Sequence, residues 1–283
     1  MDLSKKPLSL LILTLCLTIP QLALTQKHPY NWTAEYDHCQ SIEYRIKPPQ
    51  GFSRIEAPEN SFASWLRGLP LKEGNPKVKL YNGGLKALQS VHFAVLNVDV
   101  GTRDLQQCAD AVMRLKAEYH FAQSEYQKIH FKFTSGHNAS YSKWRQGYRP
   151  SIKGNSVNWY KSKSPNYSYK SFKSYLNVVF SYAGTHSLSK ELKPVQEKDI
   201  QPGDVFIWGG FPGHAIIVLD VVQNQQGEKQ FLLAQSYMPA QEIHILRNLN
   251  EPNISPWYRI PKDGLDTPEW FFEQGSLKRF EEE

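Results

Sequence analysis

Residues 200–218 read IQPGDVFIWGGFPGHAIIV: an apolar run, a turn rich in glycine and proline, and a second apolar run that opens with His214. β-Branched and aromatic residues favour strands, whereas Gly and Pro favour turns, so this stretch predicts two strands joined by a tight turn. Similar runs continue to residue 246. The predicted strands are 205–208, 215–222, 231–235 and 242–246. Short strands separated by turn residues predict a mainly antiparallel sheet.

Upstream of these strands, the spacing of the apolar side chains becomes helical. Successive apolar positions are three and four residues apart: Leu105, Cys108, Val112, Leu115 and Tyr119. This spacing predicts a helix over 104–123 with one apolar face. Further helices are predicted over 61–67 and 172–182, and further strands over 91–100 and 129–133. A long helix packed on a mainly antiparallel sheet is an α+β fold.

Length and composition indicate one large globular domain. The chain has 283 residues, of which 40% are hydrophobic, 13% aromatic and 21% charged. This balance excludes a disordered chain, and three cysteines are too few for a disulfide-scaffolded miniprotein. We expect residues 26–283 to form a single α+β domain, in which residues 26–90 are a loop-rich lead-in.

The first 25 residues have the pattern of a secretory signal peptide. Lys5 and Lys6 precede an apolar run at 8–17 that is too short to span a bilayer. We therefore expect removal of residues 1–25 and export of a periplasmic or extracellular protein. A lipid anchor at Cys16 is the alternative. No later stretch is long and apolar enough to predict a transmembrane segment.

Residues 126–190 are basic and aromatic: they carry 11 Lys and Arg residues and no Asp or Glu. Cations interleaved with aromatic rings suit an anionic polymer, so we expect an insertion with a binding face. For an exported protein, the expected partner is a cell-envelope glycan or peptide, and no nucleic acid. The candidate ligand-binding residues are Trp144, Arg145, Tyr148 and Trp208. Alternatively, the aromatic rings belong to the core and the lysines solvate one face.

Three residues on three predicted elements suggest a thiol site of the papain type. Cys108 lies near the start of a helix, His214 opens a strand and Gln235 ends another. In such a site the histidine takes the thiol proton, and the amide holds the imidazole in its useful tautomer. A helix N-terminus favours a thiolate, so we expect a low thiol pKa. A cap at Thr102 or Asp104 would put Cys108 at least one turn inside the helix.

These residues also have structural interpretations. Cys108 lies on the apolar face of its predicted helix, where a buried thiol is common, and in an oxidising compartment it could pair with Cys39. His244 alternates with apolar neighbours and is expected to be exposed, and Asp204 is expected to be a turn residue. No compact set of ligands predicts a metal site, and no motif predicts a cofactor.

Two motifs resemble those of bacterial papain-like cell-wall hydrolases of the CHAP type. The segment QCADAV at 107–112 is similar to their nucleophile helix, and PGDVF followed by GHA at 213–215 is similar to their strand signature. The resemblance implies a papain-like arrangement with Cys108 as nucleophile, His214 as general base and Gln235 as the orienting residue. Because 106 positions separate the cysteine from the histidine, residues 126–190 would be an insertion.

Most of residues 50–275 resembles a family of uncharacterised secreted bacterial proteins, a domain of unknown function. The resemblance rests on segments such as LQQCADAVMRL, YSKWRQGYRP, GDVFIWGGFPGHAIIV and LLAQSYMPAQEIHIL. It implies no particular activity. Two functions are therefore open: an exported thiol amidohydrolase acting on cell-wall peptide or a related amide, and a non-catalytic envelope protein that binds an anionic glycan.

Overall fold

The computed structural model describes residues 28–281, so the expected signal peptide and the Cys16 alternative lie outside the described residues. Six α-helices are found in this part of the chain. They are α1 (Ile42–Arg45), α2 (Phe62–Arg67), α3 (Cys108–Ala122), α4 (Tyr141–Arg145), α5 (Tyr169–Tyr182) and α6 (Thr185–Glu191). Ser61 caps α2, since its side chain accepts a hydrogen bond from the backbone N–H of Ser64.

Fifteen short strands accompany these helices in the described residues. They are β1 (Phe52–Arg54), β2 (His92–Val95), β3 (His130–Lys132), β4 (Asn138–Ser140), β5 (Tyr148–Lys153), β6 (Ser156–Lys161), β7 (Lys193–Pro194), β8 (Val205–Trp208), β9 (His214–Asn224), β10 (Lys229–Gln235), β11 (His244–Leu246), β12 (Trp257–Arg259), β13 (Leu265–Asp266), β14 (Phe271–Phe272) and β15 (Leu277–Arg279).

One large antiparallel sheet organises the molecule. Its order is β2-β11-β10-β9-β8-β15-β7, with β1 also paired to β9 and β12 to β10. Three two-stranded sheets lie outside it: β3-β4, β5-β6 and β13-β14. The mixed α+β class and the antiparallel sheet predicted from the sequence are confirmed. A papain-like arrangement is not established by this topology.

The large sheet is covered on both faces, because β9 contributes to two hydrophobic cores. Ala215 and Ile217 belong to the core on the side of α3, whereas Ile216 and Val218 belong to the second core. Successive strand residues point to opposite faces, so β9 is apolar throughout and not alternating. The strand predicted at 91–100 is shorter in the structure, where it comprises His92–Val95.

The long helix begins later than its apolar spacing predicts. α3 starts at Cys108, after Gln107 in an extended conformation, and the Gln107 N–H donates to Asp110 Oδ2 at 3.1 Å. The predicted start at 104 is therefore wrong, and Cys108 is the first helical residue. Apolar spacing marks a face but not a start, since Leu105 in the preceding loop also packs against the core.

The lead-in at 26–90 and the basic, aromatic segment at 126–190 pack against the rest of the domain more extensively than the sequence suggests. Within the lead-in, α1 and β1 are regular elements, and Phe52 pairs with Asn224 of β9. Residues 126–190 contribute Phe131, Tyr141 and Phe172 to the core that also contains α3. No helix among residues 28–281 is long and apolar enough to cross a membrane.

Candidate active site

Cys108, His214 and Gln235 lie at element ends. Cys108 is the first residue of α3, His214 is the first residue of β9, and Gln235 is the last residue of β10, the strand paired with β9. The His214 Nε2 atom lies 2.9 Å from Gln235 Oε1. The backbone N–H of Ala215, the residue that follows His214, is near enough to the Cys108 sulfur to act on its pKa. The fold thus brings all three candidates to neighbouring positions.

The Cys108 thiol is nearly buried, with 8% of the residue exposed. Burial, followed by the neighbouring charge of Asp110, raises the pKa of the thiol to about 11. The backbone N–H groups of Ala109, Ala215 and Cys108 itself act in the opposite direction but do not prevail. The expected low thiol pKa is therefore not found. Both Cys108 and Cys39 are free thiols, so no disulfide joins them.

His214 is held as a neutral imidazole. It is 1% exposed, and its ring packs against Tyr237, Trp270 and Phe272 with centroid separations of 4.8, 5.3 and 5.8 Å. Burial lowers the pKa of His214 to about 4, against a smaller opposing effect of the Gln235 hydrogen bond. A neutral imidazole can accept a proton, so His214 is in the form that a general base requires at neutral pH.

The second ring nitrogen of His214 is not engaged. No described residue makes a hydrogen bond with Nδ1, including the Cys108 sulfur. This nitrogen is therefore not committed to another group among the described residues.

Behind Gln235 lies a buried polar cluster that sequence reasoning did not find. Gln235 Nε2 donates to Glu269 Oε2 at 2.6 Å, and the other Glu269 oxygen is paired with Lys86. His244 Nε2 lies 3.5 Å from the same amide nitrogen. Lys86 and Glu269 are 183 positions apart and belong to no recognisable motif, so only the tertiary structure reveals their contact.

His244 is fully buried, so the expected exposure of this side chain is wrong. Its strand, β11, lies between β10 and β2, and its ring faces the Gln235 amide and His92. Burial lowers the pKa of His244 to about 3. Alternation along a strand shows which residues share a face, but it does not show whether the second face is solvated. Asp204 is likewise buried, where it accepts hydrogen bonds from Arg279.

A cavity of about 350 Å³ opens beside Cys108. Its lining is mainly apolar, includes the carboxylates of Asp104 and Asp110, and contains no Lys, Arg or His among the described residues. The apolar side chains of the lining include Leu105, Phe180, Phe211, Pro212 and Met238. Phe211 and Met238 are 85% and 57% exposed. An uncharged apolar group therefore fits this cavity better than an anion, because no cation is present to neutralise a buried negative charge.

The turn between β8 and β9 lines part of the cavity, and Gly213 in this turn lies very close to Gly210 and Thr185. A side chain on Gly213 would lie 2.6 Å from the carbonyl oxygen of Gly210 and closer still to the hydroxyl oxygen of Thr185. Glycine is therefore required immediately before His214. The Gly-rich turn at 209–213 is a sequence signal for this site. Its contact with Thr185 at the start of α6 has no signal in the sequence.

The expected ligand-binding residues are dispersed. Trp144 is 5% exposed, and its indole N–H donates to the carbonyl and the hydroxyl oxygen of Ser171. Arg145 packs between the rings of Tyr126 and Tyr167, with 3.7 and 4.6 Å to the centroids. We therefore assign packing roles to Trp144 and Arg145, because their planar groups are already covered by protein.

Tyr148 and Trp208 remain at the surface. Tyr148 is half-buried at the start of the β5-β6 hairpin. Trp208 is 45% exposed and pairs with His214 across the β8-β9 ladder. Trp208 is thus the one expected ligand-binding residue that the structure brings to a catalytic candidate. No group of three or more His, Cys, Asp and Glu residues within 28–281 could hold a metal ion.

The protein is thus a mixed α+β protein with a buried thiol, imidazole and amide gathered at the ends of one helix and two strands. It belongs to the family described as domain of unknown function 4846, whose model matches residues 42–279. Comparison with curated proteins and with solved structures gave no match to the chain.

Proposed function

We propose that this protein is an exported thiol hydrolase of the papain type, which cleaves an amide bond in cell-wall peptide or a related acyl conjugate. The observation that carries the proposal is the His214–Gln235 hydrogen bond on Nε2, which leaves Nδ1 without a partner among the described residues, while Cys108 is the first residue of α3. An imidazole tied at one nitrogen and free at the other is suited to remove a thiol proton.

In the proposed acylation, the Cys108 sulfur attacks the amide carbonyl carbon while His214 Nδ1 takes the thiol proton. The carbon–nitrogen bond then breaks, and His214 returns the proton to the leaving amine. Backbone N–H groups at the start of α3 suit the developing oxyanion, because the first turn of a helix has unpaired donors. Catalytic hydrogen bonds of this kind commonly tighten only when substrate is bound.

Deacylation releases the second product and restores the thiol. A water molecule attacks the thioester carbon and gives a proton to His214 Nδ1. The carbon–sulfur bond breaks, and the sulfur recovers the proton from His214. The products are one amine and one carboxylic acid for each amide and water consumed. The mainly apolar lining beside Cys108, with two carboxylates and no cation among the described residues, favours an apolar acyl group over an anionic one in the cleaved bond.

The test uses an electrophile that forms a thioether at a catalytic cysteine. In a Cys39→Ser background, we expect an acyloxymethyl ketone with an apolar acyl group to label Cys108 in the folded protein. We expect the matched ketone with a carboxylate side chain to react at least about tenfold more slowly, because a buried anion would lack a partner. Intact-mass spectrometry after timed incubation gives both rates.

Two results separate the alternatives. No labelling of folded, reduced protein by either ketone would contradict the hydrolase and leave the non-catalytic envelope protein. Faster labelling by the anionic ketone would contradict the acyl preference alone. The exposed residue Cys39 is removed because its thiol would otherwise dominate the total mass increase.

The pH dependence of labelling follows from the lowered pKa of His214, about 4, and the raised pKa of Cys108, about 11. Above about pH 4, His214 is neutral and can accept the Cys108 proton; below it, the protonated ring cannot. We expect the labelling rate to fall about tenfold per pH unit below about 4 and to change little from pH 6 to 9. A stopped-flow or quenched pH series measures this profile. An acid limb near the ordinary histidine pKa of about 6.5 would contradict the buried neutral imidazole.

A further inference from the structure

We infer that Glu269 is a positioning residue: it fixes the orientation of the Gln235 amide and thereby selects the His214 tautomer in which Nδ1 carries no proton. The catalytic consequence of this selection rests on the proposed function, whereas the tautomer itself does not. Glu269 lies on the segment between β13 and β14, far in sequence from all three catalytic candidates.

The amide of a glutamine can present either its oxygen or its NH₂ group in nearly the same shape, so its partners decide the orientation. The first partner is Glu269 Oε2, 2.6 Å from Gln235 Nε2. A carboxylate only accepts hydrogen bonds, and the ammonium of Lys86 on the other oxygen holds Glu269 in place. The group of Gln235 that faces Glu269 must therefore be the NH₂.

A second acceptor requires the same orientation. His244 Nδ1 lies 2.9 Å from the carbonyl oxygen of Glu242, so Nδ1 must carry the proton of this neutral ring. Its Nε2 is then a lone-pair acceptor, and it lies 3.5 Å from Gln235 Nε2. Two acceptors on one side of the amide leave no arrangement in which the Gln235 oxygen faces Glu269 favourably.

The orientation of Gln235 then determines the histidine. Gln235 Oε1 faces His214 Nε2 at 2.9 Å, so Nε2 must be the protonated nitrogen and Nδ1 the basic one. In the buried chain of contacts from Lys86 through Glu269 and Gln235 to His214, the donor and the acceptor of each hydrogen bond are therefore fixed. Lys86 and Glu269 have side-chain exposures of only 5% and 12%, so water competes little for these bonds.

Glu269→Gln is the decisive variant. The glutamine side chain has the same shape as glutamate, but it can place a donating NH₂ group where the carboxylate oxygen accepts. The new amide oxygen would pair with Lys86, and its NH₂ would face Gln235. Gln235 would then be driven to turn its oxygen towards residue 269 and its NH₂ towards His214, because the contact with residue 269, at 2.6 Å, is shorter than the opposing 3.5 Å contact with His244. An NH₂ against Nε2 requires an unprotonated Nε2, so the proton would move to Nδ1.

Histidine ¹⁵N NMR measures the tautomer directly, without any substrate. At pH 7 we expect the wild-type His214 to carry its proton on Nε2, and Glu269→Gln to show a substantial population with the proton on Nδ1. We expect Glu269→Asp, which keeps the carboxylate, to resemble the wild type. Glu251→Gln is the control, because Glu251 forms an ion pair with Arg259 that has no contact with this chain of residues. It should leave the His214 tautomer unchanged.

Labelling of Cys108 by the apolar ketone gives the second readout, for which we expect a fall of at least about tenfold in Glu269→Gln and no change in Glu251→Gln. A wild-type His214 protonated on Nδ1 overturns the inference, as does an unchanged tautomer in Glu269→Gln. If that variant does not fold, Lys86→Met with Glu269→Met removes the pair without leaving a lone charge. Only the longer 3.5 Å contact with His244 Nε2 would then orient Gln235, so we expect a mixture of the two His214 tautomers, and a His214 protonated only on Nε2 there also overturns the inference.

The two proposals fail in different ways. An unreactive Cys108 in a wild-type protein with the expected tautomer contradicts the hydrolase and leaves the role of Glu269 intact. A reactive Cys108 with a tautomer insensitive to Glu269→Gln contradicts the positioning role and leaves the hydrolase intact.

Discussion

His214→Ala is expected to reduce the rate at which the apolar ketone labels Cys108 by about 10²–10⁴-fold, which is the usual contribution of a positioned general base. The reason is the high pKa of the thiol, about 11, which leaves few thiolates at neutral pH without a base to remove the proton. The measurement is the pseudo-first-order labelling rate at pH 7 in the Cys39→Ser background, followed by intact mass.

His120→Gln is the matched control for this prediction. His120 is also a buried histidine, bonded to Glu125 near the end of α3 and away from Cys108 at its start. We expect it to label within about threefold of the parent protein. Cys108→Ala should abolish labelling altogether. A His214→Ala protein that folds and labels as fast as the His120→Gln control would rule out His214 as the base.

Asp220→Ala is expected to produce the largest loss of stability, about 3–5 kcal/mol in the free energy of unfolding. Asp220 is fully buried in β9, and its two oxygens accept from Arg54 Nε and Arg67 Nε, each at 2.6 Å. The substitution would leave two largely buried guanidinium groups without a counter-ion. Urea unfolding followed by tryptophan fluorescence measures the change.

Two further variants test the cause of this loss. Glu281→Gln removes an exposed ion pair with Lys193, at 3.5 Å, and should leave the unfolding midpoint essentially unchanged. Adding Arg54→Met and Arg67→Met to Asp220→Ala should recover much of the stability, because no buried charge then remains unpaired. A loss below about 1 kcal/mol in Asp220→Ala alone would contradict the account.

The sequence predicted the elements of the fold better than their burial. The four strands between 205 and 246 were found within a few residues, because their apolar runs and turn residues are local signals. The start of α3 and the burial of His244 were missed. Both depend on what packs against the element: a loop residue on the apolar face in the first case, and neighbouring strands in the second.

In the candidate site, too, the residues with local sequence signals were predicted and those that depend on tertiary packing were not. Cys108, His214 and Gln235 could be proposed from residue types and turn chemistry, and the structure brings them to adjoining element ends. Glu269 and Lys86 could not, since a carboxylate and an ammonium far apart in a sequence have no local signature. The direction of the Cys108 pKa shift was also beyond the sequence. It depends on the balance between backbone donors and burial, which only the packed structure defines.

The position of β15 in the large sheet constrains the order in which the protein can fold. β15 (Leu277–Arg279) lies between β7 and β8, and Arg279 pairs with the buried Asp204. The neighbours of β15 precede it by roughly 70 to 85 positions, so β8 remains an unpaired edge while the chain between them is synthesised. Contacts of such sequence separation form slowly and expose strand edges meanwhile. The second core, which contains Leu277, is thus completed only after residues 277–279 have been made.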